Sequence, residues 1–218
     1  MTFYQKIKQF FYSFTLNGLE FVFFFTHYWW WKMSWLLICH YWNQSGYRIY
    51  CREREKAGGL GEENFSFGET SPLSVKLLLQ NAGLKEGSVI YDLGSGRGTF
   101  LFAAYFLYGL RGIGVELFET YVEKSLKIRN SLKIAGIIFR RGNIVDTDLS
   151  QADAVYAAAT TYQDDVLARL REGLKAMKPD SIVILVHHTL PGDDFVLFDE
   201  GDFPFTWGTD HVYFYRKK

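Results

Sequence analysis

A glycine-rich bend between a strand and a helix constrains this chain more than any other feature. Val89 to Tyr91 reads as a short apolar strand. Asp92-Leu93-Gly94-Ser95-Gly96-Arg97-Gly98 follows at once, and a helical pattern runs from about Gly98 to Tyr108. Glycines in such a bend let the backbone turn sharply and approach a ligand with no Cβ in the way. The alternation continues downstream. Strand patterns at Ile113–Val115, Ile137–Phe139, Ala154–Ala158 and Ile182–Val186 are interleaved with helical patterns at Thr120–Ile134 and Tyr162–Met177. A further helix precedes the first strand: Ser71 can cap it with Pro72 at its first position, Leu73, Val75, Leu78 and Leu79 recur at helical spacing, and Gly83 stops it. Strands separated by helices predict an α/β fold, a mostly parallel sheet with helices on both faces. The last two strands, Phe195–Phe198 and Val212–Tyr215, have only a loop with Pro204, Trp207 and Gly208 between them, which predicts a C-terminal antiparallel hairpin.

Residues 1–50 are of another kind, set ahead of a connection over 51–70 and a domain over 71–218. Trp29, Trp30, Trp31, Trp35 and Trp42 fall in one window, and Phe21 to Trp42 carries a single formal charge, Lys32. One or two apolar, aromatic-rich helices are expected. The stretch is long enough to span a bilayer, which takes roughly 20 apolar residues. Trp and Tyr, however, prefer the headgroup level, and Lys32 sits near the middle. Three readings stay open: a span, a helix lying in the interface, and a helical cover packed on the domain. No small-residue cleavage site follows the run, so a cleaved signal peptide is not expected. Lys6 and Lys8 precede it, and Arg48, Arg52, Arg54 and Lys56 follow, basic flanks that suit anionic lipid. Over the whole chain 24 Lys and Arg balance 24 Asp and Glu, so there is no bulk field to collect a polyanion and no nucleic-acid partner is expected. Cys39 and Cys51 have neither metal-ligand spacing nor the makings of a disulfide framework. A reducing, cytoplasmic setting is expected, with membrane attachment open.

The helix after the bend offers unpaired N–H groups and a positive dipole end to an anion. The carboxylate of a methionine moiety is such an anion, and Asp92 is placed to accept from its ammonium, directly or through water. A dinucleotide fingerprint, G-x-G-x-x-G, would put its third glycine at position 99, where Thr stands, and an acid two residues before the first glycine would repel a pyrophosphate. Glu116, followed by Leu117, ends the second strand at the spacing of an acid that accepts from both ribose hydroxyls. Gly142-Asn143-Ile144 lies just beyond the third strand, where an amide can hydrogen-bond an adenine amine and an apolar neighbour can pack on the ring. With Gly94, Ser95 and Gly96 these residues form the candidate cofactor-binding set.

On these motifs the chain from about Phe65 to Lys218 resembles the class I S-adenosylmethionine-dependent methyltransferases. DLGSGRG matches the family's first motif, Glu116 in GVELF its second acid, and GNI its adenine-side motif, with Asn143 where an aspartate is commoner. The resemblance implies a Rossmann-like methyltransferase sheet, S-adenosylmethionine as cofactor, and no metal. A narrower similarity lies in Phe67-Gly68-Glu69-Thr70, which resembles the Tyr-Gly-Glu loop of the disruptor-of-silencing type of histone lysine methyltransferase. The order of loop, helix and DLGSG bend is also similar to that in the lysine methyltransferases of the mitochondrial ATP synthase c-subunit. It implies that Glu69 and Thr70 fold over the cofactor and that the acceptor is a protein lysine. A small-molecule or lipid acceptor, or a non-catalytic cofactor-binding scaffold, are the alternatives.

Methyl transfer from a sulfonium is an in-line displacement in which positioning dominates. Acceptor groups are expected at the carboxyl ends of the first and fourth strands, around the switch in strand order. The fourth ends in Thr160-Thr161-Tyr162, where the resembled families often carry Asn or Asp followed by an aromatic. Thr160, Thr161 and Tyr162 are thus the candidate catalytic residues, their hydroxyls orienting an amine and the Tyr162 ring or phenol facing it. Equally, Thr160 can cap the next helix. Glu69 is a candidate proton relay. His187 and His188, after the fifth strand, are read as packed or solvated rather than catalytic.

Overall fold

The computed structural model describes residues 3–42, 48–49, 51–53 and 68–218. Phe67, Arg54, Lys56 and most of the 51–70 connection lie outside the described residues. In chain order the elements are α1 (Phe3–Phe24), α2 (Tyr28–Tyr41), α3 (Pro72–Ala82), β1 (Val89–Leu93), α4 (Thr99–Tyr108), β2 (Arg111–Glu116), α5 (Glu119–Leu132), β3 (Ile137–Arg141), a 3-10 turn (Ile144–Asp146), β4 (Ala154–Ala157), α6 (Asp164–Leu174), β5 (Ile182–Val186), β6 (Phe195–Phe205) and β7 (Gly208–Lys217).

Seven strands form one sheet in the order β3-β2-β1-β4-β5-β7-β6. Strands β1 to β5 pair in parallel, whereas β7 runs antiparallel to both β5 and β6. The hairpin is longer than the local pattern suggests. Residues 199–205 and 208–211 extend both strands, and the expected loop shrinks to a turn at Thr206 and Trp207. Pro204 is tolerated because β6 is the sheet edge, where a missing N–H breaks no outer ladder.

Side chains alternate along β1. Ile90 belongs to the apolar cluster under α3, α4 and α5, whereas Tyr91 and Leu93 belong to the cluster under α6. By that two-residue period Asp92 faces the same side as Ile90. Helix α3 begins as its sequence dictates: the Ser71 hydroxyl accepts from the Ser74 N–H, Pro72 occupies the first turn, and Gly83 closes the helix in the left-handed region. Helix α6 starts at Asp164 rather than Tyr162, because the Tyr162 N–H turns back to the Ala159 carbonyl and two acids, Asp164 and Asp165, fill the first turn.

The N-terminal helices form a layer on the α3 and α5 side. Helix α1 buries one stripe, Leu16, Glu20 and Phe24, against Leu73 and its neighbours. Polar contacts fix its placement: Glu20 Oε1 accepts from the Leu73 N–H at the start of α3 (3.0 Å), and the Gln9 amide donates to the Thr206 carbonyl (2.7 Å). Burial pushes the Glu20 carboxyl up, partly offset by hydrogen bonds from Ser71 and Leu73. Helix α2 packs Met33 and Tyr41 toward α5, and Lys124 of α5 donates to the His40 carbonyl (2.7 Å). No helix among the described residues is long and apolar enough to cross a membrane. Of the three readings of residues 1–50, the span therefore has no helix here to form it, and the packed cover describes the inner face.

Candidate active site

The bend after β1 is built for close approach. Gly94, Gly96 and Gly98 all have positive φ (92°, 48° and 79°). The Gly94 and Ser95 N–H groups both donate to the Val115 carbonyl, tying the bend to the end of β2. A Cβ on Gly98 would lie 2.6 Å from the Phe139 ring, so helix α4 sits against β3 only because that position is bare. This explains the early third glycine in packing rather than phosphate terms.

Around the bend lies a pocket lined by Glu69, Thr70, Asp92, Ser95, Gly96 and Arg97, with Phe100 and Tyr156 as its aromatic wall. Asp92 is buried, and loss of hydration, followed by the nearby Glu116 charge, pushes its carboxyl up to about 8. An arriving ammonium would reverse that penalty. Glu116 is also buried, and burial raises its pKa against the N–H donors of Phe118, Gly96 and Leu117. Its two oxygens accept from the Gly96 N–H (2.9 Å) and the Phe118 N–H (3.0 Å). A carboxylate has about four acceptor sites, so beside these backbone donors there is room for a ribose hydroxyl. Ser95 Oγ is buried with no hydrogen-bond partner among the described residues. An orphaned hydroxyl, a raised carboxyl and bare backbone in one pocket fit the amino-acid and sugar ends of S-adenosylmethionine.

The loop before α3 clamps the bend. Glu69 forms an ion pair with the Arg97 guanidinium, also accepts from Arg97 Nε (3.1 Å), and accepts from the Thr99 hydroxyl. The Glu69 backbone is held in turn by Thr206: its N–H donates to Thr206 Oγ1 (2.8 Å), and that hydroxyl lies 2.9 Å from its carbonyl. Gly68 rests on the Trp207 indole so closely that a Cβ would overlap the ring. Thr70 Oγ1 and Tyr156 Oη are 2.5 Å apart, and the Tyr156 ring stacks on Phe100 at 4.0 Å. Glu69 and Thr70 thus reach the pocket, although Arg97 occupies the carboxylate that sequence reading offered as a relay.

The remaining candidates are placed less centrally. Asn143 is exposed and its amide oxygen accepts from the Val145 N–H (3.3 Å), capping the 3-10 turn; Ile144 is half-buried, and Leu117 is 46% exposed. They flank Glu116 at the strand ends without lining the pocket described above. Thr160 and Thr161 occupy the turn closed by Tyr162 N–H and Ala159 O, and neither lines that pocket nor caps α6, whose N-cap is Gln163. Tyr162 does reach the bend: its phenol donates to the Leu93 carbonyl (2.8 Å) and stands 3.2 Å from where a Gly94 Cβ would be. Burial and the Asp92 charge push that phenol well above the ordinary tyrosine range.

Sequence reading missed Arg97, Thr99, Phe100 and Tyr156. Phe100 and Tyr156 sit in apolar runs that read as core, and only Arg97, inside the bend motif, offered a signal. His187 has φ 76°, is exposed, and places Nδ1 3.1 Å from Asp210, which also accepts from the Trp207 indole.

No family model and no curated protein matches the chain. Solved structures do. An RNA methyltransferase from Salinibacter ruber in complex with S-adenosyl-L-homocysteine is 27% identical, with a TM-score of 0.55, over 68% of this chain and 93% of that one. TrmN from Thermus thermophilus aligns with a TM-score of 0.57 and 19% identity over 67% of this chain; the match covers 49% of TrmN, so the chain spans about half its length. Geranyl diphosphate C-methyltransferase from Streptomyces coelicolor A3(2) gives 0.56 and 16% over 67% of this chain and 78% of that one. With its strand order and its antiparallel β7, the chain has the Rossmann-like fold of the class I S-adenosylmethionine-dependent methyltransferases.

Proposed function

We propose that this chain methylates a lysine side chain of a protein. It is an S-adenosylmethionine-dependent methyltransferase by fold and by its 27% identical neighbour, which holds S-adenosyl-L-homocysteine. One observation carries the reading at the level of residues: Asp92, Glu116 and a Ser95 hydroxyl with no partner among the described residues are buried together around a bare backbone bend.

In this reading Asp92 takes the ammonium of the donor, the bend and the start of α4 take its carboxylate, and Glu116 takes the ribose hydroxyls. Leu117 and Ile144 pack beside the adenine, and Asn143 hydrogen-bonds its amine. Glu69 holds Arg97 and so keeps the Gly68–Thr70 segment down over the bend, while Thr70 and Tyr156 brace the far wall. The donor supplies an electrophilic methyl on a sulfonium. The acceptor nitrogen's lone pair forms the new N–C bond as the C–S pair returns to sulfur, so the amine must already have lost its proton. A lysine amine has an unperturbed pKa near 10.4. Phe100, Tyr156 and, behind Gly68, Trp207 give the site aromatic walls that disfavour the charged form without a dedicated base. Tyr162 fixes the bend through the Leu93 carbonyl.

Support for a lysine comes from the Gly68-Glu69-Thr70 loop folded over the bend, the feature shared with lysine methyltransferases in sequence. A second reading, an RNA acceptor, is favoured by the Salinibacter neighbour's identity as an RNA methyltransferase. Incubation of the purified chain with radiolabelled donor and cell extract separates the readings. Label that protease releases and ribonuclease does not supports the lysine reading, which acid hydrolysis to methyllysine completes. Label in RNA or in an organic extract overturns the lysine acceptor, and no transfer to any fraction overturns the enzyme in favour of a scaffold.

A further inference from the structure

The outward face of the N-terminal layer is the least explained surface of the molecule. Helix α1 leaves Phe11, Phe14, Phe21 and Val22 exposed, at 63%, 70%, 45% and 74%, and Trp35 of α2 and Trp42 at its C-cap are exposed at 66% and 78%. These side chains belong to one surface rather than to isolated sites. The Phe21 ring lies 5.1 Å from Phe25 and 5.8 Å from Trp31, so exposed rings of α1 and α2 touch across the helix pair. Soluble surfaces rarely carry an apolar patch this large without a partner.

Charge is distributed unevenly around the patch. From Phe3 to Trp42 the one acidic side chain in the sequence is Glu20, and it points inward to cap α3, only 8% exposed. At the C-terminal end of α2, Arg52, Lys124 and Lys127 gather, with one acid beside them, Glu53, held by the Thr120 hydroxyl: burial and then the Arg52 and Lys127 charges lower the Lys124 pKa, and burial and then Lys124 and Lys127 lower that of His40. Lys124 also lies over the Tyr41 ring, 4.6 Å from its centre. The face is therefore aromatic in the middle and basic at one end. A second copy would bring another basic end rather than the anions that this end calls for.

We infer that the outer face of α1 and α2 rests in the headgroup layer of an anionic lipid bilayer, with α1 and α2 lying in the plane of the membrane and the basic end against lipid phosphates. The inner stripes of both helices are already committed to α3 and α5, so the layer docks the domain on the bilayer without crossing it. Tryptophan and tyrosine suit that depth because their rings combine an apolar body with a polar edge. Cations near anionic headgroups strengthen the contact, and salt weakens that part of it. The inference does not rest on the identity of the methyl acceptor.

The test uses the full chain with two kinds of vesicle: phosphatidylcholine alone, and phosphatidylcholine with phosphatidylglycerol. Cosedimentation with the anionic vesicles, tighter than with the neutral ones and weakened by salt, is expected. A blue shift of tryptophan emission and quenching by lipids brominated near the headgroup are expected alongside. The double variant Phe14→Glu with Trp35→Glu should bind vesicles roughly tenfold more weakly or worse, since each ring forfeits its burial in lipid. Its cofactor affinity by calorimetry and its melting temperature should be unchanged, both positions being exposed. Failure to bind either vesicle, equal binding to both, or normal binding by the double variant each overturns the inference. So does a lipid-free dimer, seen by sedimentation equilibrium, that the double variant dissociates. Normal cofactor binding in any of these outcomes leaves the methyltransferase reading standing.

Discussion

The sheet domain and the α1–α2 layer are both rich in large apolar side chains, yet they bury them by different geometry. In the sheet, strands such as β5 (Ile182–Val186) are covered on both faces and every position is buried. In the layer each helix meets the domain along one stripe, so Phe24 is 1% exposed while Phe14, ten residues earlier on the same helix, is 70% exposed. Apolar content thus does not say where a residue is buried; the number of neighbouring elements does. The polar contacts differ in the same way. Within the domain they shape a ligand pocket, whereas Gln9, Glu20 and Lys124 serve as pegs that register the layer on the domain.

The largest expected effect tests the stripe. Phe24→Ala should cost about 3–5 kcal/mol by chemical denaturation, the range for emptying a packed aromatic site, while Phe14→Ala should stay within about 0.5 kcal/mol. Equal costs would break the distinction between the inner and outer faces. Next comes the domain's own close packing. Gly98→Ala combines a left-handed backbone with a contact into the Phe139 ring, and a loss of about 2–4 kcal/mol is expected from the same measurement.

Smaller effects belong to the bend and the acids around it. Asp92→Ala and Glu116→Ala should each weaken donor binding by about ten- to a hundredfold in calorimetry, the scale of one charge-assisted hydrogen bond set, with little change in vesicle binding. Normal donor affinity in both variants would remove the site assignment. Asp92 also predicts a pH dependence. Its carboxyl is raised from an ordinary 3.8 to about 8, so between those values the folded state holds a proton that the unfolded state has released. Stability of the ligand-free chain should therefore fall as pH rises through that window, by up to about 1.4 kcal/mol per pH unit from this group. Donor binding, which needs the ionised form, should strengthen up to tenfold per pH unit and level off above about 8. Asp92→Asn should flatten both curves, and an unflattened curve would assign the dependence elsewhere. The smallest effect expected is that of Tyr162→Phe, about 1 kcal/mol in stability for the lost bond to the Leu93 carbonyl.

Much of the domain was legible locally. The start and stop of α3 follow from Ser71, Pro72 and Gly83, and the bend follows from glycines placed where φ must be positive. The place of Glu116 at the end of β2, bonded to the bend, is legible because a parallel βαβ unit fixes the spacing between one strand end and the next. Other features had no local trace. The Glu69–Arg97 pair joins residues on either side of a helix and a strand, and Thr206 reaches Glu69 from far along the chain. Tyr156 looked like one more apolar strand residue, although its hydroxyl meets Thr70 at the pocket. The Thr160-Thr161-Tyr162 run suggests an acceptor site by its position at the end of the fourth strand, whereas in the structure Tyr162 alone of the three reaches the bend.

The amino-acid sequence by itself determined the alternation of strands and helices, the bend, and the two acids at successive strand ends, because backbone conformation and side-chain period are local properties. Only the tertiary structure decided which face of α1 is buried, how far β6 and β7 extend, and which groups clamp the Gly68–Thr70 segment over the bend. Those outcomes depend on contacts between distant residues, whose energies exist only once the sheet has brought the partners together.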